Sequence, residues 1–174
     1  MQCPHCGHDN IPGADECAHC KQDLTYLDDP ATAARSEVER MLMEQTVRVL
    51  EPPQPICVSG DTPLREVIDT LILRKIGCVL VTEGPELVGI FTERDVLMNI
   101  AGREAEVGGD MVREWMTANP ETIEEDDSVA FAIHKMDVGG YRHLPVTEAG
   151  RPTGVVSIRD VVRYLANALA SSAL

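Results

Sequence analysis

Four cysteines near the start of the chain stand as Cys3-x2-Cys6-x10-Cys17-x2-Cys20. Each C-x-x-C pair can wrap a metal in a tight knuckle, and two such pairs supply a tetrahedral all-sulfur site. A second set of residues suits different chemistry. Thr92-x-x-Asp95 and Ser157-x-x-Asp160 each follow a glycine-led apolar run and each contain an arginine, Arg94 and Arg159. A hydroxyl and a carboxylate at this spacing cap a helix start by satisfying backbone donors, which needs no ligand. The same carboxylate can also accept both hydroxyl hydrogens of a ribose cis-diol, and free N–H groups at a helix start can hold a phosphate.

The cysteine cluster admits three readings. Four thiolates closing a structural zinc site is the simplest. A rubredoxin-like iron centre would use the same ligands, but the ten-residue spacer is short and aromatics are nearly absent from the segment. A redox dithiol would need only one pair and leaves the other unexplained. Residues 1–24 resemble the short zinc-ribbon family, with Cys3-Pro4-His5-Cys6-Gly7 as the first knuckle and Cys17-Ala18-His19-Cys20 as the second. The resemblance implies bound Zn2+ without chemistry of its own. Lys21 replaces the usual glycine after the second knuckle, and Pro12-Gly13 supplies the turn between the arms. His5, His8 and His19 are expected to be exposed, because the sulfur set is already complete. So short a segment cannot build a core without metal. Its expected task is docking onto a protein partner that the sequence does not identify.

Beyond the ribbon the chain repeats itself. Gly89–Val96 returns 65 positions later as Gly154–Val161, and the offset holds upstream without a gap: Pro55 maps to Pro120, Val58 to Ile123, Ile68 to Ile133 and Val81 to Val146. A gapless repeat of this length means two copies of one supersecondary unit. Such units bury too little surface alone, so pairing about a pseudo-twofold with one shared core is expected. Within each copy the apolar periods read strand, helix, strand, strand, helix. The first strands are Ile56–Val58 and Thr122–Ile123. The first helices carry Leu64, Val67, Ile68 and Leu71, then Val129, Ile133 and Met136. Strands Cys78–Val81 with Leu87–Phe91, and Leu144–Val146 with Thr153–Val156, follow before helices starting at Thr92 and Ser157. The fold class is α/β. A linker over residues 25–31 leads into a helix from Ala31 to about Arg48, with Val38, Leu42 and Gln45/Thr46 along one side. Pro52-Pro53-x-Pro55 then breaks the helix and opens the first repeat.

Gly-h-h-[Thr/Ser]-x-x-Asp-h, intact in both copies, resembles the signature of the CBS family. Trp115-Met116-Thr117 and Tyr141-Arg142-His143-Leu144-Pro145-Val146 are also typical of it. The likeness covers residues 47 to 170 and implies a tandem pair, the Bateman module, which binds adenine nucleotides such as AMP, ADP or ATP, or a related adenosyl ligand, and often pairs into a homodimer. Carried over residue by residue, it implies that Asp95 and Asp160 hold ribose and that Thr92 and Ser157 reach ribose or phosphate. Val58 and Ile123 would meet adenine, while Arg142 and His143 would reach phosphates. The first repeat has Gly77 and Cys78 where the second has Arg142 and His143, so unequal sites are expected. Local positive charge matters here, because the chain's 15 basic and 29 acidic residues leave a net charge of −14, and that field opposes a polyphosphate.

The same charge disfavours nonspecific binding to nucleic acid or anionic membrane. No apolar run approaches the roughly 20 residues of a membrane span, and no signal-peptide pattern opens the chain, so a cytoplasmic location is expected. In a reducing compartment the cysteines serve as ligands or thiols, with Cys57 and Cys78 expected as buried thiols in apolar strands. Trp115 is expected to pack between modules, and Leu165–Leu174 to continue the last helix. No phosphate-loop glycine fingerprint or separate catalytic domain is present, which speaks against an enzyme. The expected domains are a zinc ribbon at 1–24, a linker and connecting helix at 25–46, and repeats at 47–110 and 111–174. Function then reads as a regulatory adenosyl-sensing module. The alternative is an adaptor that dimerises through the repeats with both clefts empty.

Overall fold

Cys78–Glu83 opens with four apolar or small residues in succession, a pattern that suits a strand covered on both faces. In the computed structural model it forms β2, with Val79, Leu80 and Val81 fully buried. The structure describes residues 2–3, 5–11, 14–24, 37–103, 106–107 and 109–172. Pro4, the Pro12-Gly13 turn, the linker at 25–31, the helix start at 31–36 and the last two residues lie outside the described residues.

Two compact units emerge, and neither coincides with a repeat. One unit comprises residues 53–123 and 143–156. Its four-stranded sheet runs in the order β1 (Cys57–Ser59), β2, β3 (Glu86–Thr92) and β4 (Thr117–Ala118). β1 lies parallel to β2, with Val58 opposite Val81, while β3 and β4 are antiparallel to their neighbours. Helix α2 (Leu64–Arg74) puts Leu64, Val67 and Leu71 against Val79, Val81 and Phe91, and Ile100, Val107 and Val112 complete this core. The opposite face of β2 and β3 buries Cys78, Leu80 and Ile90, with Val155 packed on them.

Val155 comes from the second repeat, whose hairpin β5 (His143–Glu148) and β6 (Arg151–Ser157) falls largely in this unit. Ile123 joins β5 by a parallel bridge to Val146, donating N–H to Pro145 O at 3.0 Å and accepting from Thr147 N–H at 2.9 Å. Within this unit the second repeat's hairpin therefore packs on the sheet of the first repeat. The second hairpin covers the first repeat's sheet because a sheet buried on one face only would leave Leu80 and Ile90 in water. Sequence reading also missed β4, whose Gly89–Ala118 pairing runs beside Met116. A Cβ at Gly89 would collide with the Met116 side chain, which explains the leading glycine of the first motif.

The other unit comprises residues 1–52, 124–142 and 157–174. Helix α1 (Glu37–Glu44) packs on α4 (Val129–Gly139) and α5 (Ile158–Ser172), and α4 packs on α5. The expected helix through Arg48 ends earlier. Gln45 and Thr46 are not helical, and Thr46 instead bridges Ser128 in extended backbone. The chain is drawn off its helical path by bonds to the start of α4: Val47 N–H donates to Asp127 O at 2.8 Å and Val129 N–H to Gln45 O at 2.9 Å. Arg48 fastens the same turn through Glu125 and Asp126 at 2.7 and 3.0 Å. The last helix runs unbroken to Ser172, as its composition suggests.

Cys57 corrects an expectation. It is exposed on edge strand β1, whereas Cys78 on central β2 is buried, with burial and then the Glu93 carboxylate pushing its thiol up to about 12. Trp115 packs against the sheet core and donates from Nε1 to Asp110 Oδ2 at 3.0 Å. Among the described residues no helix is long and apolar enough to cross a membrane. Truncating fully buried Phe91 to alanine should cost about 3–5 kcal/mol of stability. Urea unfolding of Phe91→Ala checks this, and a loss below about 1 kcal/mol would mean the core lies elsewhere.

Candidate functional site

The two knuckles of the ribbon are built alike. Cys3 N–H donates to His8 O at 2.9 Å and Gly7 N–H to Cys3 O at 2.9 Å; Cys17 N–H donates to Gln22 O at 2.8 Å and Lys21 N–H to Cys17 O at 3.0 Å. Gly7 and Lys21 both turn left-handed, with φ of 69° and 61°, so Lys21 takes the conformation that glycine usually supplies. The four sulfurs converge within 4.8 Å of one another. Cys3 and Cys20 stand 3.7 Å apart, and Cys6 and Cys17 3.6 Å. Tetrahedral thiolates about 2.3 Å from a metal would be about 3.8 Å apart. The residues present therefore fit a four-sulfur metal site.

The thiols differ in their electrostatics. Burial pushes the Cys17 thiol up, but bonds from the backbone of Cys20 and His19, the Asn10 amide and Cys6 outweigh it and bring the thiol down to about 6. Burial instead holds Cys6 and Cys20 in their neutral thiol form. A cation would draw those remaining protons off. Asn10, missed in the sequence, links the two arms. Its side chain accepts from Ala18 N–H at 2.8 Å and donates to His8 O at 2.9 Å and toward Cys17 Sγ at 3.6 Å. Of the three histidines expected to be exposed, His8 and His19 are, stacked at 5.6 Å. His5 is half-buried, because its ring packs on His134 at 5.3 Å.

Both hydroxyl–carboxylate boxes form. At the first, Thr92 N–H and O–H donate to Asp95 Oδ2 at 2.8 and 2.6 Å, and Asp95 N–H returns to Thr92 Oγ1 at 3.3 Å. This closes a reciprocal cap on a short helix, α3 (Glu93–Asp95), which continues as a wider turn over Val96–Ile100. At the second, Ser157 N–H and O–H donate to Asp160 Oδ2 at 2.9 and 2.6 Å. The boxes differ at the other carboxylate oxygen. Arg163 donates to Asp160 Oδ1 at 2.8 Å, and the residue 65 places earlier is Met98. The sequence held this signal, since Asp160 and Arg163 lie three apart on one helix.

The predicted ligand residues divide between the units. Val58, Thr92, Arg94, Asp95, Ile123 and His143 belong to the sheet unit, and Arg142, Ser157, Arg159 and Asp160 to the helical one. Within the sheet unit, His143 rests against Gly77, where any Cβ would strike its ring, and Gly77 O accepts from Glu93 N–H at 3.0 Å. His143 thus sits beside the start of the first box. Within the helical unit, Ile158 N–H donates to Arg142 O at 3.0 Å, which ties Arg142 to the second box. Arg94, Arg142 and Arg159 are exposed.

Asn10→Ala should weaken metal binding by about 10- to 100-fold, because it frees the thiolate side of Cys17 and unlinks the arms. Competition with a chromophoric chelator measures this, and an unchanged affinity would deny Asn10 any part in the site.

The model of the CBS domain matches residues 49–102 and 112–167, more than half of the chain. A CBS domain-containing protein of Arabidopsis thaliana, CBSCBSPB1, is 29% identical over 140 residues, covering 80% of this chain and 25% of that protein. The chain thus spans about a quarter of the length of the Arabidopsis relatives it matches. The CBS-domain containing protein ATU1752 from Agrobacterium tumefaciens superposes with a TM-score of 0.64 at 34% identity, covering 69% of this chain and 98% of that one. The CBS domain protein PAE2072 from Pyrobaculum aerophilum, solved with AMP, gives 0.63 at 27% identity over 73% and 99%. With its doubled boxes and two family matches, the chain belongs to the CBS-domain family as a tandem pair.

Proposed function

We propose that the chain is a non-catalytic regulatory module that senses an adenine nucleotide or related adenosyl ligand. The observation that carries this reading is the doubled box. Each puts a carboxylate and a hydroxyl at a strand-to-helix turn, and the similar Pyrobaculum protein was solved with AMP. Asp95 and Asp160 would accept ribose hydroxyls, Thr92 and Ser157 reach ribose or phosphate, and Val58 and Ile123 lie along adenine. Arg94, Arg142, His143 and Arg159 would supply charge for phosphates in a protein whose overall field opposes them. Arg163 sets a cation directly on the second box at Asp160 Oδ1, which favours that box for a phosphate. The four cysteines would hold Zn2+, and the whole would work in the cytoplasm. Regulation follows if ligand binds one geometry of the repeats better than another.

Thermal unfolding against AMP, ADP, ATP and S-adenosylmethionine tests the reading. Ligand at 100 times its dissociation constant should stabilise by about 2.7 kcal/mol. Asp160→Ala should remove that shift, and Asp95→Ala should leave most of it. No shift with any of the four would reduce both boxes to helix caps and favour the empty adaptor.

A homodimer is the second part of the proposal. The repeats leave equivalent apolar positions in water: Leu73 and Val138 are 81% and 69% exposed, Leu97 and Val162 71% and 59%. An apolar pattern that recurs at the repeat offset suits a self-complementary contact. Sedimentation should give twice the chain mass, falling to the monomer in Leu97→Glu/Val162→Glu. A parent protein of monomer mass would refute it.

A further inference from the structure

The ribbon's docking surface lies within its own unit, on helix α4. Ser128 donates its hydroxyl to His5 O at 3.2 Å, and the same oxygen accepts from Phe131 N–H at 3.1 Å as the cap of α4. His134, further along the helix, meets the Cys20 carbonyl through Nε2 at 3.0 Å. A carbonyl only accepts, so Nε2 carries the proton. The His5 ring adds an apolar contact on His134, with centroids 5.3 Å apart. Both anchoring carbonyls therefore belong to the knuckles themselves, one between Cys3 and Cys6 and the other on a metal-ligating cysteine.

The internal repeat supplies a control. Helix α2 corresponds to α4 at the 65-residue offset, but it has Pro63 for Ser128 and Asp69 for His134. Neither Pro63 nor Asp69 could make those bonds, and Pro63 offers no side-chain cap. Next to them, exposed Arg65 and Glu66 of α2 become buried Ala130 and Phe131 in α4. The two copies have diverged where the ribbon seats.

We propose that the ribbon is a metal-dependent clamp on the first helix of the second repeat. Metal fixes the two knuckles, the knuckles present the His5 and Cys20 carbonyls, and Ser128 and His134 hold them. Without metal so small a ribbon loses its fold, the carbonyls disperse, and α4 loses both anchors. Metal occupancy thereby sets how readily α4 opens, giving the module a second input besides any nucleotide. The inference rests on the reading of the four cysteines as a metal site and is independent of nucleotide binding.

Hydrogen exchange on the full chain tests it, with the zinc-loaded protein compared with chelator-treated protein. Peptides over 129–139 should exchange about tenfold faster after chelation, the effect of losing two hydrogen bonds, while peptides over 64–74 stay unchanged. Zinc-loaded His134→Ala should show faster α4 exchange without chelation. Its cobalt-substituted form should keep the thiolate-to-cobalt charge-transfer band of the parent, since no ligand is altered. Unchanged α4 exchange after chelation would overturn the clamp, as would an equal rise in α2. Parental α4 protection in zinc-loaded His134→Ala would do the same. Absence of the cobalt band in the parent would sink the metal reading itself, and the clamp with it.

Discussion

Strand β2 has to be covered on both faces, and much of the sheet unit follows from that. Val79 and Val81 point into the α2 core, while Cys78 and Leu80 face Ile90, Leu87 and Val155. Three fully buried side chains in succession represent several kcal/mol of apolar transfer. No single repeat has the elements to cover both sides, so the second hairpin joins the sheet unit and its helices fall to the other. The register of β3 on β2 then sets Thr92 opposite Cys78, next to Gly77. The first box thus starts from a backbone held in the sheet.

The boxes hold their own strand-to-helix turns. Each carboxylate already satisfies backbone and hydroxyl donors, so the helix starts are stable without a ligand. In the proposed function the same carboxylates would meet a ribose. Arg163 makes the second box unlike the first, closing Asp160 on one side while adding a cation. In a chain of net charge −14 such local charge decides where a phosphate could settle.

The ribbon follows a separate logic. Its fold rests on two like knuckles, on Asn10 between them and on the convergence of four sulfurs. Lys21 holds the left-handed turn that Gly7 holds in the other arm, and the knuckle bond from residue 21 is kept at 3.0 Å. The strain of a non-glycine residue there is small beside what four metal–sulfur bonds can supply.

The sequence by itself carried what local spacing sets: the four-sulfur cluster, the 65-residue repeat, most of the strands and helices, and the two hydroxyl–carboxylate boxes. These depend on residues a few positions apart, where period and side-chain reach decide the outcome. Tertiary structure alone decided what distant segments do to one another. Helix α1 stops before Gln45 because the backbone at Asp127 and Val129 takes those hydrogen bonds. Cys57 is exposed because β1 is an edge strand, a fact of sheet order that an apolar run cannot reveal. Gly77 must be glycine because His143, 66 residues on, lies against it. His5 and His134 meet across 129 residues for the same reason: contacts between remote segments are selected by burial and shape, and neither is written in the spacing of one chain.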